Sequence, residues 1–573
     1  MNEPKNESSE DPTATTERPR NFLEQEIDAD LQSGRVQAPI TRFPPEPNGY
    51  MHIGHAMAVC VNYELAKQYP GGQYNLRFDD TNPVAEDEEF VQAIQDDIRW
   101  LGYDWGERLY FASDFFEELY AFAVELIEKG LAYVDDLPQD EMRAGRGSAT
   151  EAGTDSPFRD RSVQENLDLF ARMRAGEFNE GDCVLRAKID MASPHMLMRD
   201  PVLYRILKQT HHRTGDDWCI YPTYDWAHGQ CDALEGVTHS LCSLEFANHR
   251  PLYEWCLEHI SAPSTPRQIE FGRLAVTYTI TSKRRLTQLV NEGLVTGWND
   301  PRMPTLRGMR RRGFTPASFK TFVEEVGVGR VNKQLDFDRL AGILRDELNK
   351  TAERRMAVLR PLKVVITNLA EGESIDLQAV NNPEDESAGT RPLRLTREVW
   401  IERDDFLEDA PKKFFRLAPE REVRLRYAFV IRCDEVVKDE AGEVVELRCT
   451  YDPATGGGKK PEGRKVKGVI HWVSAEDAVE REVRLYDHLF RVPDPLVEPE
   501  GGTFLDNVNP DSLEVLTNAK LEPALGDAAP GTQYQFERIG YFCVDSEDSA
   551  PGAPVYNRTV GLRDSWAKTQ KKG

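Results

Sequence analysis

The run Arg42-Phe43-Pro44-Pro45-Glu46-Pro47-Asn48-Gly49-Tyr50-Met51-His52-Ile53-Gly54-His55 decides the fold of this chain. An apolar stretch, 36–43, precedes it, and apolar residues at helical spacing follow it between 56 and 63. The prolines exclude helix and strand pairing from the middle of the run, whereas Gly49 and Gly54 let a ligand approach the backbone closely. The pattern therefore predicts a strand, a tight turn and a helix.

His52 and His55 stand where this helix would begin, and a helix N-terminus is a common binding site for phosphate. A single histidine in such a place is more often an ordinary surface or core residue. The proline-rich turn and the H-x-x-H pairing favour a phosphate-binding role here.

Composition limits the class of protein. A chain of 573 residues predicts three to five domains. The net charge of -27 argues, taken alone, against a nucleic-acid partner, although a large acidic enzyme can carry a local basic surface. Nine cysteines without a C-x-x-C pair indicate reduced thiols and no structural zinc. Without a membrane-length apolar segment or a signal peptide, we expect a soluble, cytoplasmic protein with no membrane partner.

The stretch 73–78 alternates like a second strand and is followed by Asp79 and Asp80. Two strands joined by a helix form a parallel α/β unit, and ligands bind at the carboxyl ends of such strands. Both acids would lie at that edge, close to the proline-rich turn. Asp80 is expected to cap the predicted helix 86–101, whereas for Asp79 capping and ligand binding are equally good interpretations.

Three further regions follow along the chain. Residues from about 114 to 205 read as an insertion, because a second site-like run, 218–228, appears only afterwards. Residues 287–350 read as helical and carry several arginines. From 358 onward short strands with polar loops, among them 362–366, 398–401, 422–431 and 468–472, predict one or two β-barrels. Residues 1–20 read as a disordered tail.

The run 42–55 and the downstream loop Ile280-Thr281-Ser282-Lys283-Arg284 resemble the paired H-I-G-H and K-M-S-K-S motifs of class I aminoacyl-tRNA synthetases. The run 42–55 has the form of the motif found in the glutaminyl enzymes and their closest glutamyl relatives. The resemblance extends over 21–564. It implies a Rossmann-type nucleotide-binding domain with an inserted acceptor-binding domain, a helical domain and C-terminal β-barrels. The implied boundaries are 21–113 and 224–273 for the Rossmann domain, 114–223 for the inserted domain, 274–350 for the helical domain, 351–383 and 470–564 for the proximal barrel, 384–469 for the distal barrel, and 565–573 for a tail.

The resemblance implies ATP-dependent ligation of L-glutamine to tRNA(Gln) through a glutaminyl-adenylate, with transfer to the 2′-hydroxyl of the terminal adenosine. Mg²⁺ would come with ATP, no protein metal site is expected, and a monomer is implied. The catalytic residues would be His52, His55 and Lys283. The implied ATP-binding residues are Glu46, Pro47, Asn48, His52, Ile53, Gly54, His55, Ala56, Met57, Ala58, Ser243, Arg273, Leu274, Thr281, Ser282 and Lys283.

The same resemblance assigns the amino-acid site. Asp79 would bind the substrate α-amino group and Tyr224 its side-chain amide, with Cys242 and Gln268 as neutral surroundings. A neutral pocket disfavours glutamate, because it would leave the charged carboxylate without a partner. The glutamyl relatives carry a basic residue where this chain has Cys242. The implied tRNA-binding residues are Asn248, Arg330, Lys333, Arg354, Arg416, Arg424, Arg426, Gln535 and Arg538.

The chain departs from the family pattern at three positions. Thr281 replaces the Met of the second motif, Asn248 stands where many relatives carry Asp, and Ala149 stands where a Leu usually opens the first acceptor pair. Two alternatives stay open: a glutamyl-tRNA synthetase of the archaeal and eukaryotic type, and a catalytically silent tRNA-binding relative.

Overall fold

The computed structural model describes residues 19–84 and 87–562. The predicted tails at 1–20 and 565–573 lie, apart from residues 19 and 20, outside these residues. Among the described residues no helix is both long and apolar enough to cross a bilayer.

The first region builds a parallel sheet around the opening run. Its elements are α1 (Phe22–Gln32), β1 (Ile40–Phe43), α2 (Ile53–Lys67), β2 (Gln73–Phe78), α3 (Glu88–Trp100) and β3 (Leu109–Phe111). Strands β1, β2 and β3 are neighbours in parallel register, with Ile40 opposite Gln73 and Leu76 opposite Leu109. This confirms the predicted strand, turn and helix, although β1 begins only after Pro39, whose missing N–H cannot join a ladder.

The second region is an antiparallel sheet covered by helices. It contains α4 (Phe116–Glu128), β4 (Ala132–Asp135), α5 (Gln139–Gly145), α6 (Val163–Arg174), β5 (Val184–Ala187), β6 (Val202–Ile206) and β7 (Ile220–Pro222). The strands pair in the order β4-β5-β6-β7 around a separate core that includes Phe170 and Leu185. This region therefore lies between two parts of the parallel sheet, and its apolar core extends into the part that follows, through Trp226 and Leu252.

The chain then returns to the parallel sheet. The next elements are α7 (Tyr224–Leu234), β8 (His239–Ser243), α8 (Arg250–His259), β9 (Arg267–Phe271) and β10 (Leu274–Val276). The N–H of Thr238 donates to the Ile40 carbonyl at 2.9 Å, so the parallel pair β8 and β9 lies beside β1. Leu241 and Ile269 join Phe43 and Leu76 in one core.

A helical region connects this sheet to the C-terminal strands. It contains α9 (Lys283–Asn291), α10 (Leu306–Arg312), α11 (Pro316–Val326), β11 (Lys333–Leu335) and α12 (Phe337–Thr351). Strand β11 pairs in parallel with β10. The short strand pairing holds the loop around Ser282 and Lys283 next to the nucleotide half.

Two seven-stranded sheets make up the rest of the described chain. Their strands, with one further hairpin, are β12 (Glu353–Arg355), β13 (Ala357–Val358), β14 (Pro361–Ile366), β15 (Ser374–Val380), β16 (Thr390–Thr396), β17 (Glu398–Glu402), β18 (Glu422–Leu425), β19 (Val430–Lys438), β20 (Val444–Asp452), β21 (Val469–Ile470), β22 (Val473–Ser474), β23 (Val479–Tyr486), β24 (Leu513–Leu521), β25 (Gln533–Phe536), β26 (Gly540–Val544) and β27 (Tyr556–Gly561). One sheet has the order β12-β25-β26-β27-β23-β24-β13 and the other β21-β18-β19-β20-β14-β17-β22. Two sheets of barrel type were predicted, and this part of the fold class is confirmed.

Two details differ from the sequence-based expectation. The single strand predicted over 422–431 is two strands, because the chain turns between Leu425 and Val430 and Tyr427 adopts a φ of 61°. Strand β14 pairs with β17 and β20, whereas 351–383 was assigned to the other barrel. The domain boundaries themselves stay predictions.

Candidate active site

Backbone hydrogen bonds fix the proline-rich turn against three neighbouring elements. The Pro45 carbonyl accepts from the N–H of Asp79 at 3.0 Å, and the Pro47 carbonyl accepts from the N–H of Asp87 at the start of α3, also at 3.0 Å. The N–H of Ile53 donates to the Pro304 carbonyl at 3.1 Å. The turn is thus held to the end of β2 on one side and to the segment before α10 on the other.

His52 and His55 form a stacked pair at the N-terminus of α2, with ring centroids 3.8 Å apart. His52 Nδ1 accepts from the N–H of Gly54 at 3.1 Å, and His55 Nδ1 lies 3.4 Å from the N–H of His52. Both Nδ1 atoms act as acceptors, so each neutral ring carries its proton on Nε2. The pair can therefore donate two N–H groups to an anion at the helix N-terminus.

The pKa values of both histidines are low. Desolvation by burial, followed by the proximity of His55 and Arg273, holds the pKa of His52 well below its usual value. Burial alone lowers the pKa of His55 to about 4. At neutral pH these rings are uncharged hydrogen-bond donors. The positive charge that neutralises a bound phosphate must therefore come from another residue.

Lys283 supplies such a charge from the second predicted motif. It is the first residue of α9, and its side chain reaches back over the turn: a β-carbon on Gly49 would lie 3.4 Å from Lys283 Cε. Its ammonium lies 5.7 Å from the centre of the Phe90 ring. Burial lowers the pKa of Lys283 and the nearby Glu46 opposes that shift. The structure thus brings together two motifs that are more than two hundred residues apart.

The remaining residues of the predicted ATP site lie around this point. Asn48 donates to the Glu46 carboxylate within the turn, and Pro47 is anchored as described. Ser243 ends β8 and donates to Glu245, whose carboxylate lies 3.8 Å from the exposed Arg273. Four residues belong to the first turns of α2, namely Ile53, Gly54, Ala56 and Met57, and Ala58 follows them; Leu274 is buried at the start of β10, and Thr281 and Ser282 precede α9.

Asp79 is a buried carboxylate at the carboxyl end of β2, with 6% of its surface exposed. Its Oδ1 accepts from the Thr81 hydroxyl at 3.1 Å. Desolvation raises its pKa to about 7; Arg77 opposes this shift, whereas Glu46 adds to it. A substrate ammonium placed beside Asp79 would stabilise the ionised carboxylate, which burial disfavours.

Tyr224 lies close enough to Asp79 and Cys242 for both to affect its pKa. Tyr224 begins α7, and its ring stacks on His228 at 4.9 Å between centroids. Burial raises its pKa well above the usual value and also raises that of Cys242 to about 12, so both stay neutral. Gln268 donates its amide N–H groups to the Phe246 carbonyl and to Glu270. Only the amide oxygen of Gln268 is therefore available as a ligand group.

Sequence reasoning did not identify the buried ion network behind Tyr224. Asp232 on α7 accepts from Arg42 at 3.0 Å and from Arg77 at 2.8 Å, and both arginines are buried. Arg42 also lies 2.9 Å from His228, the residue on which Tyr224 stacks. Although burial opposes it, the two arginines hold the pKa of Asp232 well below its usual value. The only sequence signal was a charged residue inside each of two otherwise buried strands.

Asp80 does not cap the helix that follows it, because Asp87 performs that role. Instead, its carboxylate accepts from the N–H of Ser113 at 2.8 Å and from the Ser113 hydroxyl at 2.6 Å, and its backbone carbonyl lies 2.8 Å from His211 Nε2. We call Asp80, Ser113 and His211 the Asp80 clasp. Ligand-type atoms of Asp80, His211 and His212 lie within 4.8 Å of one another, yet both ring nitrogens of His211 already have hydrogen-bond partners. The expectation of no protein metal site stays a prediction.

Five of the nine residues predicted to bind tRNA are linked by strand pairing, by a shared carboxylate or by partners adjacent in the chain. Arg354 is buried and donates to the carbonyls of Ala352 and Asn349. Gln535 lies opposite Arg354 in the β12–β25 pair and donates to Tyr541. Arg416 and Arg538 share Asp405, and Arg426 pairs with Glu537, the chain neighbour of Arg538. The other four have separate surroundings: Arg424 donates to three backbone carbonyls, Lys333 donates to Val326, Arg330 pairs with Glu26, and Asn248 is exposed in the turn before α8. Their assignment to tRNA stays a prediction.

A basic recess on the second of the two large sheets includes one of these residues. It encloses about 930 Å³, and its lining includes the cations Lys412, Arg416, Arg421, Arg432, Arg464, Lys465 and Lys467 beside the carboxylates Glu420, Glu422 and Asp452. Two of these carboxylates, Glu422 and Asp452, pair with Arg464. Phe415 lies in the same lining with half of its surface exposed, and Lys467 lies 4.8 Å from the centre of its ring. Cations around an exposed aromatic ring suit a nucleic-acid strand, which the net charge of the chain did not suggest.

The family comparisons agree with this arrangement. The family described as tRNA synthetases class I (E and Q), catalytic domain, matches 40–350, and the anti-codon binding domains of the same class match 352–452 and 469–545. The chain therefore belongs to the class I tRNA synthetases of the E and Q type.

Curated relatives narrow this class. A Glutamine--tRNA ligase of Nitrobacter winogradskyi is 58% identical over 560 residues, covering 98% of this chain and 99% of that protein. One of Pseudomonas putida is 59% identical over 548 residues, 96% of either chain. Within the class the chain belongs with the glutamine–tRNA ligases. A crystal structure of a glutamate tRNA ligase from Elizabethkingia meningosepticum has a TM-score of 0.39 at 16% identity, over 54% of this chain and 69% of that one, and adds nothing to the assignment.

Proposed function

We propose that this chain joins L-glutamine to tRNA(Gln) in two steps at the site between the proline-rich turn and Lys283. The observation that carries the proposal is that His52, His55, Lys283 and Asp79 all lie against the same proline-rich turn. The substrates would be ATP, brought with Mg²⁺, together with glutamine and the tRNA. We place the reaction in the cytoplasm and assign it to a monomer.

In the first step the carboxylate of glutamine attacks the α-phosphorus of ATP. A phosphorus–oxygen bond forms to glutamine, the bond to the β-phosphate breaks, and pyrophosphate leaves. His52 and His55 donate their Nε2–H groups to phosphate oxygens, and Lys283 neutralises the charge that develops in the transition state. Because the histidines are uncharged at neutral pH, the lysine carries the largest electrostatic share.

The choice of amino acid rests on the neutral pocket beside Asp79. The Asp79 carboxylate pairs with the α-ammonium of the substrate. The hydroxyl of Tyr224 and the amide oxygen of Gln268 meet the carboxamide, and Cys242 contributes no charge. A glutamate side chain would bring a second carboxylate near Asp79, and Arg42, the cation that acts on Tyr224 and Cys242, is already paired with Asp232. The glutamyl alternative is not favoured, because the curated relatives reported above are glutamine ligases.

In the second step the 2′-hydroxyl of the terminal adenosine attacks the carbonyl carbon of the mixed anhydride. The carbon–oxygen bond to the phosphate breaks, and AMP leaves with its pair of electrons while a phosphate oxygen takes up the hydroxyl proton. Proximity accounts for most of this step, since the anhydride is already activated. The acceptor end would enter along the inserted region, and the basic recess would hold a distant part of the tRNA.

Aminoacylation of tRNA(Gln) with labelled glutamine tests the proposal. We expect wild-type protein to charge the tRNA with glutamine and Lys283→Ala to lose most of this activity while it still binds tRNA. Wild-type protein that binds tRNA but charges it with neither amino acid would instead support the silent alternative.

A further inference from the structure

His211 lies in the inserted region, but its hydrogen bonds reach the strand end that carries Asp79. Its Nδ1 accepts from the N–H groups of Arg213 and Thr214, both at 3.2 Å. A nitrogen that accepts from two backbone amides carries no proton, so the proton is on Nε2. That Nε2–H donates to the backbone carbonyl of Asp80 at 2.8 Å.

The protonation state of His211 is stable at neutral pH. The ring is buried among aromatic neighbours, with Phe116 at 5.7 Å and Tyr221 at 6.0 Å between ring centres. Burial lowers its pKa, although the hydrogen bond to Asp80 opposes the shift. The ring is therefore a fixed, neutral donor to one carbonyl.

The Asp80 clasp holds the peptide that follows Asp79 from the side of the inserted region. Ser113 fixes the Asp80 carboxylate through two hydrogen bonds, and the guanidinium of Arg213 donates to the Ser113 hydroxyl at 2.8 Å. On the opposite side the N–H of Asp79 donates to the Pro45 carbonyl of the nucleotide turn. Asp79 is thus fixed between the two halves of the site, by its own N–H on the side of the nucleotide turn and by the next residue, Asp80, on the side of the clasp.

Thr81 connects the Asp80 clasp to the Asp79 side chain. The hydroxyl of Thr81 donates to Asp79 Oδ1, so a shift of the 80–81 peptide would move the carboxylate directly. A displacement of about 1 Å of a binding group can cost on the order of a hundredfold in rate.

We propose that His211 is a positioning residue for the amino-acid site: through the Asp80 carbonyl it sets where the Asp79 carboxylate meets the substrate α-ammonium. The inference rests on the proposed function. It assigns to the inserted region a part in binding the amino acid, in addition to its implied contact with the acceptor end.

The test compares His211→Leu, which removes the donor within an apolar surround, with His211→Gln, whose Nε2 can donate to the same carbonyl. We expect His211→Leu to raise the KM for glutamine at least about tenfold in ATP–pyrophosphate exchange, with the KM for ATP within about twofold of wild type. His211→Gln should restore the glutamine KM to within about threefold. His195→Leu, at a half-buried histidine of the same region outside the clasp, should leave both constants unchanged.

Thr81→Val provides a second variant in case His211→Leu fails to fold, and it should raise the glutamine KM in the same selective way. The proposal would be overturned if His211→Leu and Thr81→Val changed the KM for glutamine and the KM for ATP equally. It would also be overturned if neither variant changed the KM for glutamine. If wild-type protein shows no exchange with glutamine, the proposed function fails. Crystal structures of wild type and His211→Leu then decide the positioning role by themselves, because an unmoved Asp79 carboxylate contradicts it.

Discussion

Protonation of Asp79 should control the binding of glutamine near neutral pH. Its pKa is raised to about 7 by burial, and only the ionised carboxylate pairs with an ammonium group. The ionised fraction in the free protein is then about one tenth at about pH 6 and about nine tenths at about pH 8. We therefore expect kcat/KM for glutamine to fall roughly ninefold as the pH is lowered from about 8 to about 6. Below the pKa of Asp79 the fall should approach a factor of about ten per pH unit.

ATP–pyrophosphate exchange with tRNA present, saturating ATP and varied glutamine measures this profile from about pH 5.5 to about 8.5. The stacked histidines do not interfere, because the pKa of His55 is about 4 and that of His52 is also far below its usual value. Asp97 provides a matched control: burial raises its pKa to about 7 as well, but it lies on α3 outside the site. Asp97→Asn should keep the profile. A flat profile for the wild type, or a break at the usual carboxyl pKa, would refute the reasoning.

The same shift predicts a change in stability of known sign. Since the folded-state pKa of Asp79 lies above its unfolded value of about 3.9, the ionised carboxylate destabilises the fold most above pH 7 and progressively less as pH falls towards 4. Asp79→Asn should therefore unfold at a higher temperature than wild type. Its free energy of unfolding should exceed that of wild type by on the order of 1–4 kcal/mol at about pH 8, and this difference should shrink at about pH 5. A variant that is less stable than wild type at pH 8 would contradict the assignment.

Three further predictions follow from individual contacts. Lys283→Ala should lower the rate of pyrophosphate exchange about 10²–10³-fold, the usual loss for a transition-state charge partner, with tRNA affinity unchanged and the exposed Lys350→Ala as control. Asp232→Asn should destabilise the protein by about 3–5 kcal/mol in urea unfolding, because Arg42 would lose its buried counter-charge and Arg77 would keep only Glu235; a loss below about 1 kcal/mol would count against the network. Arg416→Ala should weaken tRNA binding and reduce the slope of log Kd against log salt by about one, and an unchanged slope would remove Arg416 from the interface.

Much of the nucleotide half could be predicted from sequence because its signals are local. The prolines and glycines of the run 42–55 define a turn, and strand alternation at 73–78 places Asp79 at the ligand edge. The contact between Gly49 and Lys283 could not be derived from residue patterns, since it depends on how α9 packs against the turn. Only the order of two family motifs indicated it.

Pairwise contacts between distant residues explain what sequence reasoning did not find. Asp80 was expected to cap the next helix, but its partner Ser113 is 33 residues further along. Arg42 and Asp232 are separated by 190 residues, and no periodicity connects them. The strand predicted over 422–431 is two strands, and the sequence conceals the turn because the residues that follow Tyr427, from Ala428 to Ile431, are apolar and all buried.

The central claim is that a neutral pocket beside Asp79 selects glutamine for attack on ATP. The direct measurement is kcat/KM for glutamine and for glutamate in ATP–pyrophosphate exchange, with wild-type protein and tRNA present. A side chain that strands a buried charge is rejected by several kcal/mol, so we expect glutamine to be preferred by at least about a hundredfold. Equal use of both amino acids, or a preference for glutamate, would contradict the account.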